Sequence, residues 1–559
     1  MWQTRALELN NQAYWQWEKA CELVEYAAAH DFNTVIVGQV DLFDKLVSPK
    51  GYTPHQYNDR LSSQQRARCV YLNRLGKLCQ QKGLRFYLQA KEVNFPTDLL
   101  LAHPHLHLFE PDHGVRFDVD FWCGYLSEKV SLVCQRIPAL SGLLVAISNT
   151  DGLLPVSRPN WELSAENHGS LPARDERSFA LYSRCFNALS RAMQKENRHL
   201  VLRVFPAGNH DLSNVLEAIH PLPESVSVSI KLTPERFWPS FPNNPALLAV
   251  QEREVWVDID LVGEEVGWGI FPFPRIDELQ GRLLWCRSNP AIRGAVCKTS
   301  WEGVDNHWII GTLSECNLLA CSRMLASDGV SYSLAQLLEY WLDESYGWHP
   351  APEVLDELTS LLEQGGQVLY QAIYVCDHVF HRHSQVPESY GQAVWSLYGQ
   401  LNRNHWLPGS DRAITLSASD VEASATCLSR IAKEKDDACG AAITLCEQAL
   451  HFARRAGLPY ALQQRWLEEW QGLALYCHLF LYAQKAFFTL HFAREVENSW
   501  SMREICQTNI QELYRSASEM EDYCQKHANA SPGLHVLFDP SRVRALADSL
   551  SFELNALKG

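Results

Sequence analysis

The chain has 559 residues, 46% of them hydrophobic, which is enough for one large domain and at least one more. Its formal charge of −16 excludes a broad nucleic-acid surface, which needs a basic face to displace counterions from phosphate. The 17 cysteines are odd in number and scattered without a CxxC pair, which argues against a zinc ribbon or a disulfide framework and fits reduced thiols in a cytoplasm.

The opening residues carry no basic segment leading into an apolar run, and no uninterrupted apolar stretch is long enough for a bilayer. The expectation is a cytoplasmic protein with neither a membrane nor a nucleic-acid partner. Short apolar runs then alternate with helical patterns, the mark of repeated β–α units around a parallel sheet. Thr4–Leu9 reads as a first strand, followed by an amphipathic helix over Tyr14–Ala29. Asn33–Val37 is β-branched and reads as a second, buried strand. A helix over Arg66–Lys82 stops at Gly83, and Leu84–Ala90 is a third strand.

His103, His105, His107 and His113 crowd the next segment. Their spacing matches no metal-ligand motif, so they read as loop histidines, and neither a metal nor a cofactor is expected. A helix over Phe121–Ile137 precedes strand four, Leu143–Ile147, which runs into Ser148–Gly152 with Asp151 in the turn. After a helix over Arg174–Glu196, strand five, Leu200–Phe205, has Arg203 embedded in it, and His210 follows. An arginine in an apolar strand needs a partner, either a carboxylate inside the barrel or a substrate anion. Strand six, Ser225–Lys231, ends on another cation. Strand seven, Val255–Leu261, ends in a turn with Glu264, Glu265 and Trp268. Strand eight, Ile292–Lys298, runs into Trp301, Glu302, Asp305, His307 and Trp308.

Eight such units predict a (β/α)8 barrel over 1–345. From 346 to 559 the period is helical, with long segments at Glu353–Asp377, Ala418–Ala456, Ala461–Glu497 and Met502–His527 and a last helix over Ser541–Lys558. The intervening loop His378–Asp411 holds His381, His383, Tyr390, Trp395 and Trp406, and reads equally as scaffold or as a functional loop.

Parallel barrels carry their chemistry in the loops beyond the carboxyl ends of the strands. Asp151, Glu235, Glu264, Glu265, Glu302 and Asp305 gather at those ends. Such a set fits glycoside hydrolysis, where one carboxyl group is the general acid and a second is a base or nucleophile. Glu265 also fits a helix-start carboxylate, and Asp151–Gly152 fits an ordinary turn.

Strand ends four to seven resemble those of the α-glucuronidases of glycoside hydrolase family 67, barrel enzymes with a helical C-terminal domain that remove glucuronic acids from xylo-oligosaccharides by inversion. The family's strand-four turn Lys-Ala-Asp-Ser-Glu is met here by Ile147-Ser148-Asn149-Thr150-Asp151, which puts Asp151 where the general acid stands. The strand-five arginine that helps to bind the uronate is matched by Arg203. The pattern Ile-Lys-Asn-Gly-Pro-x-Asp is similar to Ile230-Lys231-Leu232-Thr233-Pro234-Glu235-Arg236, with Lys231 on the carboxylate-binding lysine. Glu264 falls on the glutamate of the Gln-Glu-Tyr turn, which supplies a base.

This chain departs from the family at Ile147, at the shortened acid Asp151, at Arg236 with Glu235 beside it, and in having strand one within its first ten residues, where the family has a preceding β domain. The resemblance implies an exo-acting, inverting glycosidase of the cytoplasm, trimming an oligosaccharide that bears a uronic acid. Asp151 and Glu264 would be catalytic, with Glu235 in reserve. Arg203, Lys231 and Arg236 would bind the anion, and His210, Trp268, Lys298, Trp301 and His307 would line the subsite. A retaining enzyme on a neutral or amino sugar, using Glu235 or Glu302 as the partner carboxylate, and a barrel that only binds carbohydrate both stay open. A homodimer is expected by analogy with other helical domains.

Overall fold

The structure, a computed structural model, describes all residues except 1, 53–57, 92–98, 100–101, 104–108, 111–113, 116–118, 147–175, 205–208, 328–329, 400–405, 529–530 and 558–559. Its centre is a closed parallel barrel of eight strands. These are β1 (Thr4–Leu9), β2 (Thr34–Gly38), β3 (Arg85–Ala90), β4 (Gly142–Ala146), β5 (His199–Val204), β6 (Val226–Lys231), β7 (Val255–Asp260) and β8 (Ile292–Lys298). β8 closes on β1 with Thr4 opposite Gly294 and Glu8 opposite Lys298. A helix follows each strand: α1 (Trp17–Ala29), α2 (Asp59–Gln81), α3 (Val119–Arg136), α4 (Glu176–Lys195), α5 (Asn209–Ile219), α6 (Ala246–Ala249), α7 (Ile276–Cys286) and α8 (Glu315–Ala326). The expected (β/α)8 architecture is therefore present, with strand limits within two residues of those read from hydrophobic runs.

Alternation along each strand divides the barrel interior into layers. Ala6, Ile36, Tyr87, Leu144, Val201, Trp256 and Val296 form one apolar layer, separate from the larger core between strands and helices. Six of the eight next inward positions toward the carboxyl ends are polar: Glu8, Gln89, Arg203, Ser229, Asp258 and Lys298, all buried. Gly294 faces the Trp256 indole so closely that a Cβ there would lie 2.2 Å from Cδ1.

Beyond the barrel come α9 (Leu334–Tyr346), α10 (Pro352–Ile373), α11 (Tyr390–Tyr398), α12 (Val421–Arg455), α13 (Tyr460–Glu495), α14 (Trp500–Lys526), α15 (Pro532–Leu537) and α16 (Pro540–Ala556). α9 starts on a capping box between Ser333 and Gln336 and stops at Gly347, which takes the left-handed conformation at φ 57°. α13 is buried on nearly all sides, which explains apolar residues right around it. Sequence periodicity ran α10 on to Asp377, but it ends at Ile373 in a tight hairpin pairing Tyr374–Val375 with His378–Val379.

The helical region packs on the loop that follows β7. The Phe271 and Tyr476 rings are 4.8 Å apart, Gly365 lets α10 approach Trp470 and Pro272, and buried Glu469 of α13 accepts the Leu313 N–H at 3.1 Å. Among the described residues, no helix is long and apolar enough to cross a membrane.

Candidate active site

At the end of β7 the chain turns sharply through Gly263, Gly267, Trp268 and Gly269, all at positive φ. Asp260, the last residue of β7, accepts the Glu264 N–H at 2.9 Å and so fixes the start of this turn. Glu264 is 7% exposed and Glu265 fully buried.

Three cationic or imidazole groups converge on the Glu264 carboxylate. Arg236 Nη1 is 3.7 Å from Oε1, Lys298 Nζ is 3.9 Å from Oε2, and His383 Nδ1 is 3.2 Å from Oε1. Burial alone would raise the Glu264 pKa, but His383, Lys298 and Arg236 together overcome it and hold the carboxyl at about 2. Its neighbours go the other way: burial pushes up Asp260, with the Lys298 charge opposing it, and burial followed by the Glu264 charge pushes up Glu265.

Lys231, at the end of β6, donates to the Glu235 carbonyl oxygen at 2.6 Å and lies 4.9 Å from the Phe237 ring centroid, as does Lys298. Burial lowers its pKa to about 7, and Arg236 and Lys298 add to that effect against the pull of Glu264. Lys298 is raised from its ordinary value, because Glu264 and Asp260 outweigh its own burial. Glu235, at φ 55°, accepts a 2.7 Å hydrogen bond from the Trp406 indole N–H, and Glu302 is paired with Lys91 at 2.8 Å.

Three of the expected site residues are engaged in contacts within the protein. Arg203 is engaged within the barrel: its guanidinium makes a bidentate pair with Glu8 at 2.7 and 2.6 Å and a third bond to Asp258 at 2.6 Å. Ser229 donates to the other Asp258 oxygen at 2.5 Å, closing a buried network. Of the two partners considered for this arginine, the intramolecular carboxylate is the one present. Trp268 is 2% exposed, so its ring is no open stacking face. It lies under Trp301, centroids 5.6 Å apart and 18° from parallel. His307 is buried and structural: the Trp301 N–H donates to Nδ1 at 3.1 Å, leaving Nε2–H for the Trp268 carbonyl at 2.9 Å. Burial lowers its pKa to about 4, consistent with a neutral ring.

Lys231, Arg236, Lys298 and Glu264 do lie together, and Trp301 is the half-buried aromatic beside them. Trp308 is 8% exposed and sits under Lys19 instead. His210 stands in the first turn of α5. Asp151 lies outside the described residues, as do His105, His107 and His113.

Sequence reading left His383 in a loop without a role. It stands on the segment after the Tyr374–Val379 hairpin, and that segment is bolted to the β7 turn. The His383 N–H donates to Glu265 at 3.1 Å, Ser384 Oγ donates to the Glu264 carbonyl at 3.0 Å, and the Gly267 N–H donates to Ser384 Oγ at 2.7 Å. The run His381-Arg382-His383-Ser384 offered no spacing signal for this.

Oxygen and nitrogen atoms of Glu264, Glu265 and His383 fall within 4.8 Å of one another, close enough to hold a metal. Arg236 and Lys298 already balance the charge of Glu264, and a divalent cation would have to face both. The donor set therefore suits a hydrogen-bonded carboxylate better than a metal.

No family model matches the chain, and no curated protein matches it. Among solved structures, a GH138 enzyme described as targeting pectin rhamnogalacturonan II matches with a TM-score of 0.64 at 10% identity, covering 100% of this chain and 83% of that one. An O-GlcNAc hydrolase of Thermobaculum terrenum, in mutant form, matches at a TM-score of 0.41 and 11% identity over 99% of this chain and 95% of its own. A GH20 exo-β-N-acetylglucosaminidase from Vibrio harveyi matches at 0.38 and 11% over 60% of this chain and 56% of its own. The GH138 enzyme shares the fold across the whole chain. Family 67, which the strand ends resemble, is not represented by these three.

Proposed function

We propose that the protein is a glycoside hydrolase that works at Glu264 on an oligosaccharide bearing a uronic acid. The observation that carries this reading is the company Glu264 keeps: a carboxylate at the C-terminal mouth of the barrel, with Lys298 and Arg236 beside it and Lys231 next to them. Such a site meets an acidic sugar with both a catalytic carboxylate and a clamp for the sugar's own carboxylate. Arg236 and Lys298 take over the role expected of Arg203, which Glu8 and Asp258 already engage. Trp301 supplies the ring face for a sugar, and the fold shared with an enzyme described as targeting pectin rhamnogalacturonan II agrees with a pectic or other acidic glycan.

In the inverting form of this reading, Glu264 activates water and Asp151 protonates the leaving oxygen. In the retaining form Glu264 is the nucleophile, kept ionised by the Lys298, Arg236 and His383 groups around it. Glu235 or Glu302 would then be the acid and base.

The test is a panel of α- and β-linked galacturonides and glucuronides, with the product anomer followed by proton NMR to separate inversion from retention. Glu264→Gln is expected to lower kcat by about 10²–10⁴-fold with KM little changed. Undiminished turnover in that variant defeats the assignment, and affinity for the panel without turnover in the unaltered protein marks a binding barrel instead.

A further inference from the structure

We infer that His383, carried in from the helical region, is a positioning residue for Glu264, so that the site is completed by a part of the chain outside the barrel. The inference rests on the reading of Glu264 as the catalytic carboxylate, and four observations support it.

First, the imidazole faces the carboxylate directly, at 3.2 Å between Nδ1 and Oε1. At that distance the ring and the carboxylate form an ion-pair contact that can set the orientation of Glu264, and Nε2 remains for substrate or water. Second, the backbone is held in a conformation that side chains rarely adopt: His383 and Ser384 sit consecutively at φ 61° and 56°, and Cys376 and Asp377 in the preceding hairpin at 49° and 67°. Non-glycine residues at positive φ, two adjacent pairs of them so close together, persist only where the surroundings over-determine them, and such segments gather at functional sites.

Third, the surroundings do over-determine them. The segment is bonded to the Glu264 carbonyl, the Glu265 carboxylate and the Gly267 N–H, and the buried Tyr476 hydroxyl of α13 holds the Ser384 carbonyl. Fourth, the ring is placed for use. Its side chain is 22% exposed against 9% for Glu264, and it packs 4.6 Å from Trp301, the aromatic face assigned to the sugar. Its near neighbour His381 is turned away, bonded to Ser396 Oγ at 2.8 Å and to Arg542 at 3.0 Å.

The groups facing Glu264 are Asp260 and Glu265 on its own turn, Lys231 and Arg236 from the end of β6, Lys298 from β8, and His383. Removing His383 leaves the cations in place and takes away the imidazole contact with the carboxylate.

The experiment is a carboxyl titration by NMR on the full chain labelled with [δ-13C]glutamate, the Glu264 signal being identified by its loss in Glu264→Gln. In His383→Asn, chosen because asparagine tolerates the left-handed backbone, Glu264 is expected to titrate about one unit higher than in the unaltered protein. An unchanged titration in a folded His383→Asn protein overturns the inference, including when stability has fallen. For the event that this variant does not fold, Glu264→Gln, close in shape to the native residue, provides the second measurement: one histidine ring resonance is expected to move, and an unmoved histidine spectrum overturns the inference too. Neither readout needs a substrate, so a protein that turns over no acidic glycoside removes the proposed function while the titration still decides the role of His383.

Discussion

Lys231 shows how much one side chain can report about this mouth. Burial and its neighbours Arg236 and Lys298 bring its pKa down to about 7, so its charge is lost as pH rises through that value. Binding of an acidic saccharide is therefore expected to weaken as pH rises above about 7, and Lys231→Met to flatten that dependence, both checked by calorimetry across pH. Stability moves in the opposite sense. Between the folded value of about 7 and the ordinary value of 10.5 the unfolded chain binds more protons at this position, so the Lys231 contribution makes stability rise with pH across that window. Denaturation of the Lys231→Met variant should lack that rise.

At this scale the sequence was half legible. A cation in the middle of an apolar strand announced that Arg203 had a partner, but its partners Glu8 and Asp258 lie on β1 and β7, and only closure of the barrel brings them together. Removing Arg203 from such a network strands the buried carboxylates, which is why it reads as architecture.

Among elements, strands were the most readable, because buried parallel strands are runs of apolar and β-branched residues whatever their partners. Polar positions within them, such as Ser229 and Asp258, also fell on strands, and their inward direction follows from alternation. The hairpin after α10 was not readable. Its turn residues Cys376 and Asp377 are not the glycines that usually mark positive φ, and Glu265, to which His383 is tied, lies 118 residues earlier.

β7 and β8 approach closely in the barrel interior. Because a Cβ on Gly294 would sit 2.2 Å from Trp256 Cδ1, and Trp256 is fully buried in the apolar layer, the ring has nowhere to move. Gly294→Ala is expected to destabilise the fold by about 1–3 kcal/mol, read as a lowered denaturant midpoint, while Gly281→Ala, on α7 with open space around it, should not.

For the whole molecule, the barrel and the helices share one interface around the β7 turn. Phe271 packs on Tyr476, Leu313 is bonded to Glu469, and His383 and Trp406 reach Glu264 and Glu235. A fragment of residues 1–345 would expose Phe271 and its neighbours and lack both reaching side chains. It is expected to self-associate in gel filtration and to have no turnover on any glycoside the full chain cleaves. The change in sequence texture falls near 345, and the contacts around Glu264 and Glu235 reach across it.

Closure of the barrel has a consequence for how the chain is made. β1 borders β2 on one side, and on the other waits for β8, Thr4 meeting Gly294 and Glu8 meeting Lys298. At ribosomal rates that partner emerges on the order of half a minute after β1 does. Through that interval the first strand presents an unpaired edge, and the buried charge of Glu8 has no arginine network to complete until β5 and β7 have followed. A nascent chain of this kind depends on being shielded while it grows, and its slowest folding step is expected to be the meeting of its first strand with its eighth.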